Sequence, residues 1–164
     1  MPWGLFTLAL LVTYVLQTAA LARFAPEWLD LLLVLALICG LTAPAIEARL
    51  AGWLVGFAQD VGSSGPLGLH ALALGLAVFA LTQFREMINR ELWWVRWLAG
   101  FIVAWPAQLI IALHERYWQG VSTSLAALLG QSLATALAAS FLAALLLALR
   151  ALIGRRRRYS YVRW

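Results

Sequence analysis

The chain has 164 residues, of which 64% are hydrophobic and 12% are charged. A soluble globular domain is about 45–50% apolar and about 25% charged, and a mean hydropathy of +0.87 does not fit that class. A membrane-spanning helix needs about 20 apolar residues, so this length allows five or six spans. We predict an all-α polytopic membrane bundle, with residues 1–154 forming one transmembrane domain and 155–164 a basic cytoplasmic tail.

The net charge is +5, and every basic residue is an arginine. Four of them form a block near the end of the chain: Arg155, Arg156, Arg157 and Arg158. Topological anchoring explains the block without a partner, and the alternative is contact with anionic lipid or a cytoplasmic protein. A short membrane-proximal tail is not a folded basic face, so nucleic acid is not expected as a partner. With Cys39 as the single cysteine, no intrachain disulfide or thiolate metal cluster can form.

Apolar runs separated by turn signals predict the first helices in chain order. The first run extends from residue 3 to about 22 and the second from 28 to about 43. The third, 50–59, is short for a span unless residues 45–48 extend it. Residues 60–68 are too rich in glycine, serine and proline to continue as helix, and they predict a structured turn.

Three more apolar runs follow that turn. Residues 69–84 predict the fourth span, and an aromatic belt at 93–97 marks a membrane interface before the fifth. The fifth span contains Pro106, which predicts a kink supported by neighbouring helices. The hydroxyl residues 122–124 suit the N-cap of the sixth helix, which is expected to continue to about residue 153.

The distribution of arginines predicts the topology. Six spans place both termini on one side, and the positive-inside rule selects the cytoplasm. Only Arg23 and Arg116 then lie outside; the cytoplasmic set is Arg49, Arg85, Arg90, Arg96, Arg150, the four-arginine block and Arg163. We therefore predict a multi-pass protein of the bacterial inner (cytoplasmic) membrane, with the 60–68 turn on the outer side. If the third stretch does not span, the count falls to five and the N-terminus moves out.

Two faces of small residues indicate close helix packing, which replaces the hydrophobic effect as the cause of helix association in lipid. Gly52 and Gly56 form a G-x-x-x-G step on the third helix. On the sixth helix small residues recur every fourth position: Ala126, Gly130, Ala134 and Ala138. These faces pack either within the chain or against a partner helix.

Asp60 ends the third apolar helix, where a carboxylate is costly unless it is hydrated or hydrogen-bonded. The amides and hydroxyls of Gly62, Ser63 and Ser64 are its predicted partners, and His70 can pair with it across the turn. We predict a structural turn motif and expect Asp60→Asn to be tolerated; ligand or partner binding is the alternative. The motif comprises Asp60, Ser63, Ser64, Gly65, Pro66, Leu67, Gly68 and His70.

Other polar residues in or near the spans have simpler interpretations. Five glutamines are expected to hydrogen-bond between helices: Gln17, Gln59, Gln83, Gln108 and Gln131. Residues 114–116 form a charged group at the outer rim. No nucleophilic triad, phosphate loop, paired carboxylate or metal-ligand spacing stands in a workable context. We predict no catalytic residue, no metal and no cofactor.

Residues 24–72 carry a resemblance to a known family. The sequence reads Ala25-Pro26-Glu27-Trp28 before an apolar helix, then Gly52-Trp53-Leu54-Val55-Gly56-Phe57-Ala58-Gln59-Asp60, then Ser63-Ser64-Gly65-Pro66-Leu67-Gly68-Leu69-His70-Ala71-Leu72. This order resembles the rod-shape-determining MreD family, although Glu27 stands where aspartate is common. The second half of the chain is similar to it only in hydropathy.

The resemblance implies a function and a fold. MreD proteins are non-enzymatic membrane scaffolds of the side-wall peptidoglycan elongation complex, where their partners are MreC, RodA with its penicillin-binding transpeptidase, and MreB. Their fold is similar to the six-helix substrate-binding subunits of energy-coupling-factor vitamin transporters, which supplies an alternative function. A transporter subunit needs several polar groups that converge on a cavity. The few charges within the predicted spans favour the scaffold.

Overall fold

The computed structural model describes residues 1–21, 29–63, 65–85, 92–118 and 124–160, apart from the side chains of 20, 21 and 154–160. Every regular element in these ranges is helical, so the all-α prediction is confirmed. The elements are α1 (Trp3–Val15), continued by a π-helical segment (Leu16–Leu21), α2 (Leu31–Thr42), α3 (Ala45–Gly62), α4 (Leu69–Phe84), α5 (Trp93–Trp118) and α6 (Leu125–Ser160).

The third apolar stretch is one continuous helix that is longer than its apolar part. Helix α3 begins at Ala45, directly after Pro44, and has 18 residues. At 1.5 Å per residue its length is about 27 Å, close to the roughly 30 Å of a bilayer core. Residues 45–48 therefore extend the stretch, which is the condition under which the sequence predicted a span.

The last two helices differ from their predicted bounds. Helix α5 runs through Pro106 without interruption and ends at Trp118. Helix α6 begins after Ser124, whose hydroxyl accepts a hydrogen bond from the Ala127 amide at 3.2 Å, as expected for an N-cap. It continues to Ser160, so the boundary predicted at 154 does not coincide with a helix end. The segment 155–158 is helical because nothing in it interrupts α6.

Helix α2 is the centre of the bundle. It contacts each of the other five helices, and it is the one helix with no large exposed hydrophobic side chain among the described residues. Its sequence is apolar on all sides, as expected of a helix buried all round. Seven of its twelve residues are buried, including Leu32, Leu33, Val34, Ala36 and Leu37.

The helices alternate in direction, and the residues at the two ends of the bundle differ in chemistry. At one end Met1, Thr42, Arg96 and Arg150 line a common apolar groove of about 700 Å³; we call this the arginine end. At the opposite end the π-helical segment, the start of α2, the last turn of α3, the starts of α4 and α6 and the end of α5 meet around a polar cavity. We call this the polar end.

The outer surface is apolar. Large hydrophobic side chains are exposed on α1, α3, α4, α5 and α6; Leu8 is 59% exposed and Ile46 is 73% exposed. Two helices, α5 and the Leu125–Ile153 part of α6, are long and apolar enough to cross a membrane. The apolar helices Trp3–Ala19, Leu31–Thr42 and Leu69–Phe84 are shorter.

Candidate functional site at the polar end

Glycines bring α3 and α4 into backbone contact. A Cβ on Gly56 would lie 2.4 Å from the His70 carbonyl oxygen and 2.5 Å from the Ala71 Cα. A Cβ on Gly52 would lie 2.8 Å from the Val78 Cβ. A side chain at Gly56 would meet backbone atoms of α4, and one at Gly52 would meet the base of the branched Val78 side chain. Neither position therefore accepts a side chain without a movement of the neighbouring helix. The G-x-x-x-G face therefore packs within the chain, against α4.

The close approach places the Asp60 carboxylate at the start of α4. Asp60 is 1% exposed. Its Oδ1 accepts the His70 amide at 2.8 Å and lies 2.9 Å from the His70 Nδ1. Its Oδ2 accepts the amides of Gly68 at 2.9 Å and Ala71 at 3.0 Å. The predicted pairing of Asp60 with His70 is thus present in the structure.

Asp60 acts as the N-cap of a helix to which it does not belong. The first amides of a helix have no partner within it, and the N-cap position of α4 is Gly68, a residue without a capping side chain and with φ of +102°. Asp60, from the end of α3, accepts three of these amides, and its negative charge is favoured at the positive end of the helix dipole. The carboxylate therefore joins α3 to α4 and accepts hydrogen bonds from the amides that would otherwise be unpaired at the start of α4.

The predicted partners of Asp60 are only partly correct. Ser63 donates its amide at 3.2 Å and its hydroxyl at 3.1 Å to the Asp60 backbone carbonyl, not to the carboxylate. The carboxylate turns towards α4 instead, because the amides there are buried and otherwise unpaired. Ser64 lies outside the described residues. Residues 65–68 continue the turn at the surface, with the Pro66 carbonyl accepting the Leu69 amide at 3.4 Å.

This geometry argues against the expectation that asparagine is tolerated at position 60. Each carboxylate oxygen accepts at least one backbone amide. In either orientation, the NH₂ of an asparagine would face a buried N–H donor instead of accepting from it. The substitution leaves at least one buried donor unpaired, which is costly.

The small-residue stripe on α6 lies mostly outside the core. Ala126 and Gly130 are exposed, and Ala134 and Ala138 are half-buried; nothing lies within 4 Å of a Cβ on Gly130. The buried residues of α6 are Leu128 and Leu147 together with a different set of small residues: Ser132, Thr135, Ala136, Ala139, Ser140, Ala143 and Ala144. A spacing of four drifts around a helix that repeats every 3.6 residues, so the stripe does not follow the buried face.

Four of the five glutamines converge on the polar cavity, which has a volume of about 190 Å³. The cavity is lined by Gln17, Asp30, Gln59, His70, Gln108, Ile111, Ala112, Glu115, Leu128, Gln131, Ser132 and Thr135. The fifth glutamine, Gln83, is exposed on α4. Four glutamines that are far apart along the chain therefore line the same cavity, which their spacing in the sequence did not indicate.

Asp30 organises the cavity, and the sequence analysis did not single it out. Its Oδ1 accepts the Leu33 amide at 3.0 Å and caps α2. Its Oδ2 accepts the carboxamides of Gln59 at 3.0 Å and Gln108 at 3.4 Å. Gln17 holds the adjacent backbone, donating to the Leu29 carbonyl and accepting from the Leu31 amide. An aspartate directly before a long apolar run is an N-cap signal that would have identified Asp30.

Arginines at the opposite end bind other helices. The Arg49 Nε donates to the Thr82 hydroxyl at 2.9 Å, and its guanidinium lies 4.5 Å above the Phe79 ring. The Arg85 guanidinium donates to the carbonyls of Gly40 and Ala43. It thereby pairs carbonyl groups that have no partner within α2 at the end of that helix. The side chains of 155–158 lie outside the described residues, so contact of this block with lipid or a cytoplasmic partner stays a prediction.

Comparison with protein-family models, curated proteins and solved structures gave no match. Across the ranges that the structure describes, histidine, cysteine and acidic side chains form no cluster of three or more that suits a metal. The hydrogen bonds described above define two arrangements at the polar end: the cap that Asp60 forms on α4 and the cavity around Asp30.

Proposed function

We propose that this chain is a non-enzymatic, multi-pass scaffold of the bacterial inner membrane, acting in side-wall peptidoglycan elongation as MreD proteins do. Its proposed partners are MreC, RodA with its penicillin-binding transpeptidase, and MreB. One observation carries the proposal: the residues behind the resemblance lie in one α3–α4 contact, where Gly56 meets the His70 backbone and Asp60 binds His70. Gly52 extends this contact to Val78. A motif that joins two helices is what a scaffold requires.

The character of the surface supports the membrane part of the proposal. The most apolar windows of α5 and α6 are only 22% and 33% buried, whereas the core helix of a soluble protein is mostly buried. Exposed apolar side chains around five helices fit hydrocarbon rather than water. The arginines Arg49, Arg85, Arg96 and Arg150 belong to the end of the bundle that carries Met1, which supports a cytoplasmic arginine end.

The polar cavity favours the second candidate, a substrate-binding subunit of a vitamin-type transporter, because it supplies convergent polar groups. Its size argues against that candidate. Sites for drug-sized ligands have volumes of about 300–1,000 Å³, and this cavity has about 190 Å³. The polar cavity is therefore smaller than a typical small-molecule site, and the scaffold is the better proposal.

Co-purification from native membranes tests the scaffold. The tagged chain is expected to recover MreC and RodA, and a variant on the exposed stripe of α6, Gly130→Leu, is expected to recover less at equal abundance. Gly4→Leu is the matched control, because a Cβ on Gly4 also meets nothing within 4 Å but lies on α1. Recovery of transporter subunits in place of MreC would overturn the proposal in favour of the second candidate.

Reporter fusions test the topology separately. A reporter inserted after Leu67, which is 73% exposed in the turn, is expected on the outer side, and a C-terminal reporter is expected in the cytoplasm. Reporters on the same side would contradict the six-span arrangement.

A further inference from the structure

The hydrogen-bond donors around the polar cavity are largely used within the protein. The Gln59 and Gln108 carboxamides donate to Asp30. The Ser132 hydroxyl donates to the Leu129 carbonyl and the Thr135 hydroxyl to the Gln131 carbonyl. His70, which also lines the cavity, faces Asp60 through its Nδ1. The hydroxyls of Ser132 and Thr135 therefore offer lone pairs to the cavity.

Two acceptors at the cavity, the Asp30 carboxylate and the Gln59 Oε1, have capacity left for further donors. A carboxylate has about four acceptor positions, and Asp30 uses three of them on the described residues Leu33, Gln59 and Gln108. The Gln59 Oε1 is buried and accepts no hydrogen bond within the described ranges. A buried acceptor left unpaired is costly, so this oxygen is suited to a donor that comes from outside the described structure.

The charge of the cavity is also negative. Asp30 is 7% exposed, and the partners that the structure gives it are an amide and two carboxamides, all of them neutral. Glu115, which is half-buried, adds a second carboxylate to the lining. Burying a carboxylate without a cation is expensive, so a positive ligand stabilises this arrangement more than a neutral one.

We propose that the polar cavity binds a primary ammonium group. An ammonium has three N–H donors and one positive charge, which match a carboxylate, an unpaired carboxamide oxygen and the hydroxyl lone pairs. The cavity, at about 190 Å³, corresponds to roughly six water molecules at about 30 Å³ each. That volume holds a small amine, or the ethanolamine headgroup of a lipid entering from the membrane surface. The inference goes beyond the scaffold role and does not depend on it.

Calorimetry with ethanolamine on the purified chain tests the free-amine source. Saturable binding is expected, and choline is expected to bind at least about tenfold more weakly, because its methylated nitrogen has no N–H donor. The lipid source is tested by native mass spectrometry of the chain reconstituted in equal phosphatidylethanolamine and phosphatidylcholine, where preferential retention of phosphatidylethanolamine is expected. Either result supports the proposal and identifies its source.

Asp30→Asn removes the charge and keeps the helix cap, because asparagine caps helices as well as aspartate does. Unlike the backbone amides around Asp60, the carboxamides of Gln59 and Gln108 can turn an oxygen towards the new NH₂. This variant is expected to bind the amine, or retain the lipid, at least about tenfold more weakly while keeping its thermal midpoint. Glu47→Gln is the matched control; it removes the same charge at the arginine end, where Glu47 pairs with the Met1 ammonium, and is expected to bind normally. Equal binding by Asp30→Asn and wild type, or no saturable binding from either source, would overturn the proposal.

Discussion

Asp60→Asn is expected to destabilise the protein although the two side chains have nearly the same shape. The carboxylate accepts three backbone amides at 2.8–3.0 Å from α4. Asparagine provides one acceptor oxygen and places an NH₂ against one or two of these donors. At about 1–3 kcal/mol for each buried donor left unpaired, one or two such donors cost about 1–6 kcal/mol. That is a large part of a typical stability of about 5–15 kcal/mol.

The assay is denaturant unfolding of the chain in detergent micelles, followed by helical circular dichroism. Asp60→Leu removes every acceptor and is expected to cost more than Asp60→Asn. Ser63→Ala is the local control: it removes one hydroxyl bond to a carbonyl and is expected to cost about 1 kcal/mol or less. If Asp60→Asn unfolds at the wild-type midpoint, the carboxylate does not hold α4, and the argument from its hydrogen bonds is wrong.

Three further predictions use the same unfolding assay. Gly56→Ala is expected to cost several kcal/mol because its Cβ meets α4 backbone at 2.4 Å, whereas Gly130→Ala, in open space, is expected to stabilise by about 0.5–1 kcal/mol; equal effects would contradict the packing. Ser124→Ala removes the cap of α6 and is expected to cost about 1 kcal/mol, against no change for Ser124→Asp. Arg85→Met is expected to cost about 1.5–3 kcal/mol because two carbonyls lose a charged donor; wild-type stability would refute that role.

Local sequence signals predicted much of the fold. The apolar run at 69–84 coincides with α4, and Ser124 caps α6 as its position suggested. Both depend on neighbouring residues alone, through hydropathy and the orphan amides of a helix start. The extent of α3 was predicted only as a condition, because its first five residues include Glu47 and Arg49 and hydropathy alone places the helix start after them.

The sequence also determined that Asp60 needs partners and that His70 is near enough to be one, since both flank a single turn. Only the tertiary structure decided which amides bind the carboxylate, because the choice depends on how closely Gly56 lets α4 approach. The cavity around Asp30 was beyond local reasoning for the same reason. Its lining comes from six chain segments spread from Gln17 to Thr135, and each glutamine by itself predicts only that some partner exists. The packing of the other helices against α2 determines which partner each glutamine meets.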